Sequence, residues 1–519
     1  MSGAGVRQLG RSDDPTTIAV DADTTVVPAG APAASPTGVD ASAGSGAQRD
    51  LTVFPGFDGL RAIAAILVVV VHAGFISTLT LQSSLGPYAA RAEIGVAVFF
   101  LISGFLLYRP FVARHLALAE TGGGRDVPDA GGFWIRRFMR IVPLYWLVFV
   151  ISLVVITDKM IVSNIKGLAQ CLLFVQGYRQ EWAIQGLTQA WTLNVEVAFY
   201  LFVPLYAWLL GRRVFAGRTQ LLVELTGVAA LYVTGTLLHW RMVGVDTGWA
   251  DGWPAWLPIW WDLFSMGMFL AVVSAWYGRR GRHPRWSTLP GSGLVCWLLA
   301  ALCYWAASTR IGLPLWPVYE ASVRTDLGKH LFYGLFGFFL LLPAVFGPQR
   351  RGIVRRFLAS RVMTFLGSIS YGIYLWHQTV IDVVMTRSGW KIWQIGFVPL
   401  FVVVFGLTVA LSALTYYLIE RPCQNLAKDW ARRWKNRQRR GRAGVAGAAV
   451  RSGPAGQDQA AAEPAAIPAP TRPGAAAGVL DETTVPVPPE AATPDTIGPE
   501  GGAAPSATPT DAGRGSRAG

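Results

Sequence analysis

Ten apolar runs of 18 to 24 residues leave this chain few folds to choose from. They lie at about residues 58–79, 92–111, 140–157, 191–211, 220–240, 256–277, 290–307, 328–346, 362–385 and 395–418. An α-helix crosses the hydrocarbon core of a bilayer in about 20 residues and satisfies its own backbone while doing so. The expected fold is therefore all-α: a polytopic membrane bundle of about ten transmembrane helices with disordered cytoplasmic N- and C-terminal arms. Charged residues make up 15% of the chain, against about 25% in a soluble protein. The 21 Trp and 26 Phe suit the aromatic belts of a membrane interface.

The connections between the runs set an orientation. With the N-terminus taken as cytoplasmic, the inner connections carry Arg109, Arg114, Arg125, Arg136, Arg137 and Arg140. The next two carry Arg212, Arg213 and Arg218, then Arg279, Arg280, Arg282 and Arg285. The last carries Arg350, Arg351, Arg355, Arg356 and Arg361. The outer connections hold only scattered charges such as Arg91, Lys159, Arg179, Arg241 and Arg310. This asymmetry explains the net charge of +14 by the positive-inside rule, without a nucleic-acid partner. It puts both termini in the cytoplasm.

Residues 1–52 are rich in Ala, Gly, Pro, Thr and Asp and read as a disordered arm. No apolar run precedes residue 50, so no cleaved signal peptide is expected. The membrane core spans 53–422. Residues 423–442, with Trp430 and Trp434 among many cations, read as a basic interfacial helix drawn to anionic lipid. Residues 443–519 read as a disordered tail. Ile165–Gly177 is apolar but too short to span, so it is either re-entrant or interfacial. Cys171, Cys296, Cys303 and Cys423 have no metal-ligand spacing, and no metal is expected.

Four segments hold chemistry-bearing residues. In the first, Phe57-Asp58-Gly59-Leu60-Arg61-Ala62 leads to His72, eleven residues after Arg61. Eleven residues make about three helical turns, so both side chains share one face about 16 Å apart. In a spanning helix Arg61 stands near one surface and His72 near mid-depth. An ionisable group there is a functional-site candidate, and neutral imidazole is a common general base. In the second, Arg136, Arg137 and Arg140 lie three and four apart before Tyr145, close enough on a helix to grip phosphate jointly. In the third, Glu196 sits inside an apolar run with Tyr200 one turn on. In the fourth, Tyr371 and Tyr374 can face one cavity, with His377 nearer the outer surface. Phe99–Phe105, with Ser103-Gly104, suits a close helix contact. Glu420-Arg421-Pro422 follows the last run. No Gly-x-Ser-x-Gly elbow, His-Glu-x-x-His or phosphate-loop motif is present, which argues against serine hydrolases, zinc enzymes and nucleotide-driven pumps.

In order and spacing these segments resemble the integral-membrane acyltransferase-3 family, whose members O-acylate cell-surface sugars and lipids. The resemblance covers residues 54–422. It implies an acyl-coenzyme A donor, acetyl-coenzyme A in the simplest case, on the cytoplasmic side. It implies an acceptor hydroxyl on an extracytoplasmic envelope glycan or glycolipid. In that reading His72 is the catalytic base or carries the acyl group, and Glu196 supports it. Arg61, Arg137 and Arg140 hold the donor's phosphates, while Asp58, Tyr371 and Tyr374 contact substrate. Gln378-Thr379 stands where many relatives have a proline, so no catalytic role is carried onto His377. Many relatives also have a C-terminal hydrolase-like domain where this chain has its tail.

The GC-rich flavour of the composition points to the plasma membrane of a bacterium. A transporter or flippase for a sugar or lipid intermediate is the alternative. It suits the helices and basic loops but has no use for the Arg-to-His spacing. A scaffold leaves His72 and Glu196 without a purpose. The arms add one further expectation. Thr16-Thr17, Thr24-Thr25 and Thr483-Thr484 each follow acidic residues and precede apolar ones, a pattern suited to a Ser/Thr kinase partner.

Overall fold

The computed structural model describes residues 54–156, 162, 164–178, 186–242, 256–315, 322–348, 351–434 and 436. Both arms, with the three threonine pairs, lie outside the described residues. Among those residues the protein is all-helical, with one isolated antiparallel bridge between Gly124 and Val214. The principal helices are α1 (Gly56–Ile76), α2 (Ile94–Glu120), α3 (Ala130–Val155), α4 (Ile165–Leu172), α5 (Trp191–Gly211) and α6 (Arg218–Met242). They continue with α7 (Trp261–Arg279), α8 (Ser292–Thr309), α9 (Val323–Val345), α10 (Arg361–Ser368), α11 (Ser370–Ser388) and α12 (Phe397–Thr415).

Nine helices among the described residues are long and apolar enough to cross a membrane. The expected run 362–385 is the difference. It breaks at Ile369 into α10 and α11, and α11 carries His377, Gln378, Asp382 and Arg387. Lipid-facing stripes are plain on the outer helices. On α5, Leu201, Leu205 and Leu209 are 59%, 60% and 55% exposed. Their spacing of four puts them on one helix face, which water would penalise and acyl chains accept.

Two boundaries differ from the sequence expectation in a way that shapes the site. α3 begins at Ala130, ten residues before the apolar run, because the Asp129 carboxylate accepts the Gly132 N–H at 3.1 Å. Arg136, Arg137 and Arg140 are thus helical, not loop residues. α2 likewise runs on to Glu120, which makes Arg109 and Arg114 helical. Arg109 is buried against Ser274 and the Phe54 ring. Arg355 is also buried, donating to the carbonyls of Pro343 and Phe346 at the end of α9. His72 is the seventeenth of the 21 residues of α1, nearer its C-terminal end than its middle.

α2 and α7 cross in close backbone contact. A Cβ added at Gly104 would lie 2.2 Å from the Phe264 carbonyl oxygen, and one at Gly267 would lie 2.1 Å from that of Leu101. Only glycine permits these backbones to touch on both sides. The crossing is backed by a buried polar cluster. Glu224 of α6 accepts from Tyr108, and from Gln220 at 2.9 Å, and contacts His115 Nδ1 at 2.6 Å.

α4 packs along α3. The Tyr145 hydroxyl donates to the Cys171 carbonyl at 2.9 Å, and Trp146 donates to that of Leu172 at 3.1 Å. Cys171 is buried while Ile165 and Leu173 are exposed, as an interfacial helix requires. The last span runs through a π-helical turn, Tyr416–Glu420, into helix without interruption as far as Trp434. Its basic end does not stand apart from the bundle. Ala427 and Ala431 are buried, and the Trp434 ring covers Gly131 at the start of α3.

Gly104→Leu and Gly267→Leu are expected to lower the yield of folded protein and its unfolding midpoint, since overpacking costs about 1–3 kcal/mol or more. Gly406→Leu, whose Cβ would meet nothing within 4 Å, is expected to change neither. Size-exclusion profiles and thermal unfolding in detergent check this.

Candidate active site

α1, α2, α3, α5 and α11 enclose a cavity of about 750 Å³, counted with the open space at its mouth. Arg61, Arg137, Arg140, Glu196, Tyr200, Tyr371 and Tyr374 line it, together with Ser103 and the apolar Val96, Phe99, Leu106 and Leu107. Six of the eight residues singled out in the sequence for donor binding, substrate contact or catalysis therefore meet on one surface; His72 and Asp58 do not line it.

The arginines reach it from two helices. Arg61 sits one turn after Asp58, whose Oδ1 lies 3.4 Å from its Nη1. Asp58 does not line the cavity. Its carbonyl is covered by Gly367 of α10, where an added Cβ would lie 2.0 Å from it. Asp58 thus holds Arg61 from behind. Arg137 lies over the rings of Phe133 and Tyr200, at 5.6 and 5.9 Å. Its buried Nε has no hydrogen-bond partner. Among the described residues neither Arg137 nor Arg140 forms an ion pair. Two guanidiniums that line one cavity and form no ion pair suit an anionic ligand with several oxygens.

Opposite them, Glu196 Oε1 accepts from the Tyr200 hydroxyl at 2.6 Å and from Ser103 Oγ at 3.0 Å. The tyrosines of α11 are tied into the protein. Tyr371 donates to the Ile141 carbonyl at 2.8 Å. Tyr374 donates to that of Gln189 at 2.8 Å, with Thr192 Oγ1 at 2.5 Å. Both tyrosines line the cavity with their hydroxyls already engaged.

His72 is outside the lining set and sits one residue layer beyond it. Its ring lies 4.9 Å from that of His377, which is 5.9 Å from the ring of Tyr374. His72 Nδ1 is 2.8 Å from the Val68 carbonyl, and His377 Nδ1 is 2.8 Å from that of Tyr374. A carbonyl only accepts, so each Nδ1 carries a proton, and in its neutral form each ring keeps the lone pair on Nε2. His377 is fully buried, and its Nε2 has no partner.

His377, Ser103 and Thr192 are the parts of this arrangement the sequence did not assign. For His377 a signal existed: Tyr374 and His377 are three apart on one helix face. Its pairing with His72, across 305 residues of chain, had none. Glu420 is buried as well, and its Oε1 has no partner.

The acyltransferase domain family matches this chain over residues 54–417. A membrane-embedded helical bundle with a cationic cavity and an adjacent histidine pair is the class this fold and site define. The chain belongs to the acyltransferase-3 family. Among its relatives is the peptidoglycan O-acetyltransferase OatA of Listeria monocytogenes, 24% identical over 396 residues. That match covers 71% of this chain and 55% of OatA. The acyltransferase MdmB of Streptomyces mycarofaciens is 27% identical over 72% of this chain and 92% of its own. Nodulation protein 10 of Rhizobium leguminosarum bv. viciae is 27% identical over 64% and 82%. The chain thus spans about half the length of OatA and nearly all of MdmB. No solved structure matches it.

Glu196→Leu leaves the Ser103 and Tyr200 hydroxyls without their acceptor. It is expected to lower stability by about 1–3 kcal/mol, the cost of buried groups left unsatisfied. Glu196→Gln, which keeps an acceptor oxygen, is expected to lose less than half of that in thermal unfolding.

Proposed function

We propose that this protein is a membrane O-acyltransferase that moves an acyl group, in the simplest case acetyl, from acyl-coenzyme A to a hydroxyl of an envelope glycan or glycolipid. The cavity that joins unpaired Arg137 and Arg140 to Arg61, with the histidine pair one layer beyond, carries this reading. The family membership and the names of OatA and MdmB support it. The arginine-rich connections support a donor site facing the cytoplasm and a plasma-membrane location with both termini inside.

In this reading Arg61, Arg137 and Arg140 hold the donor's phosphates, and the apolar wall at Val96, Phe99, Leu106 and Leu107 takes its uncharged arm. Glu196 balances the arginines and fixes Tyr200. The acyl end passes Tyr371 and Tyr374 to reach the histidine pair. His72 Nε2 removes the acceptor's hydroxyl proton as the oxygen attacks the thioester carbonyl. The tetrahedral adduct collapses, the carbon–sulfur bond breaks, and the thiolate leaves with the proton held on His72. His377 packs beside His72 and sets where its ring stands. A positioned base of this kind contributes about 10²–10⁴-fold.

The test is thiol release from acetyl-coenzyme A by purified protein in lipid, with envelope extract as acceptor. Release is expected to require the extract and to fall at least about 100-fold in His72→Ala. Arg137→Ala is expected to raise the KM for the donor about tenfold or more while kcat changes less, since a charge-assisted contact contributes about 1.5–3 kcal/mol. Near-normal turnover in His72→Ala would remove the histidine assignment. No release from folded protein with any acyl donor would favour the transporter.

A further inference from the structure

A second constellation of titratable groups lies at the end of the bundle where α1 and α6 terminate. It has no part in the cavity. His239 is in the last turn of α6, Asp262 in the first turn of α7, and Asp326 and His330 in the first two turns of α9. Ser322 caps α9 through the Thr325 N–H at 3.2 Å and so fixes where that helix starts. The spacing of four then puts Asp326 and His330 on one face of it.

We propose that His239, Asp326 and His330 bind a divalent transition-metal ion of the zinc type, with Asp262 orienting His330. One ligand atom from each of the three lies within 4.8 Å of the others. Metal–ligand bonds of about 2.0–2.2 Å to imidazole nitrogen and carboxylate oxygen draw such a set together with small side-chain rotations. His239 Nε2 and Asp326 Oδ2 are already in contact. Asp262 has a different task. Its Oδ2 lies 2.8 Å from His330 Nδ1, and its Oδ1 accepts the Leu263 N–H at 2.8 Å. Both of its oxygens are engaged. The carboxylate holds the Nδ1 proton of His330 and leaves Nε2 as the ligand atom, the arrangement by which a carboxylate sets a metal-binding histidine.

Charge and burial favour an ion over two simple His–Asp pairs. His239, His330 and Asp262 are 1%, 7% and 5% exposed. The two imidazole rings lie 3.8 Å apart, too close for both to be cationic without strong repulsion. Lys329 also acts on Asp326, but its ammonium is 2.8 Å from the Glu93 carboxylate, so with neutral rings Asp262 and Asp326 bring two negative charges that a divalent cation neutralises. The ion would fasten α6 to α9 beside α7. Two ring layers separate it from the cavity: Trp260 lies 4.9 Å from the His330 ring and 5.3 Å from that of Phe100 in the cavity wall. The ligands come from two segments 87 residues apart, and neither carries a motif. The expectation of no metal rested on cysteine and His-Glu-x-x-His spacings, which this site does not use.

The proposal stands independently of the acyl-transfer reading, and its test needs no turnover. Full-length protein in lipid is stripped with chelator and titrated with zinc against a chromophoric competitor, with metal content counted by mass spectrometry. One zinc per chain is expected. His239→Ala, Asp326→Asn and His330→Ala should each weaken it at least tenfold, and Asp262→Asn about 10–100-fold. Cys423→Ser should leave it unchanged. Should a variant fail to fold, the wild-type protein decides: zinc, but not magnesium, is expected to raise its unfolding midpoint and excess chelator to reverse the rise. No stoichiometric zinc in the wild type would overturn the site, as would equal affinity in the folded ligand variants or a midpoint indifferent to zinc.

Discussion

A charged side chain inside an apolar bundle persists only where another helix supplies a partner, and that constraint organises this protein. Glu196 is held by hydroxyls from α2 and from its own helix. Glu224 draws Tyr108 and His115 of α2 onto α6. Asp58 restrains Arg61, and Arg355 closes the end of α9. The contacts that cross between helices, Ser103 to Glu196 and Tyr108 and His115 to Glu224, fix those helices at one register, because a slip would strand a polar group in hydrocarbon. Arg137 and Arg140 stand out against this background. They form no ion pair among the described residues, and they face the cavity.

Packing decides how near those groups come. The reciprocal glycine contacts of α2 and α7 remove the side-chain layer that normally separates two helices. Gly367 does the same between α10 and α1. In the bundle packed this way Ser103 of α2 meets Glu196 of α5, and His377 of α11 meets His72 of α1. The tyrosines of α11 then act as struts. Their hydroxyls bond carbonyls of neighbouring segments, and both residues line the cavity.

Much of this was legible in the residues themselves. Apolar runs gave the helices, and short-range spacing gave Arg61 and His72 on one face, Arg137 with Arg140, and Glu196 with Tyr200. Those pairs share a helix, where geometry follows from residue count. Boundaries were less legible. A capping aspartate extended α3 past its apolar run, and an unbroken apolar stretch hid the break at Ile369. Neither effect registers in hydropathy, since one is a single hydrogen bond and the other a local change of backbone direction.

The sequence by itself determined that the chain folds as a helical membrane bundle, and which charged residues face inward, because lipid excludes charge wherever it lies. It also determined the relations within a helix, where 1.5 Å per residue fixes every distance. Only the tertiary structure decided the relations between helices. It paired His72 with His377, moved His72 out of the cavity lined by Arg61, and gathered His239, Asp262, Asp326 and His330. Such contacts join segments far apart in the chain, and their geometry depends on helix crossings that no local pattern encodes.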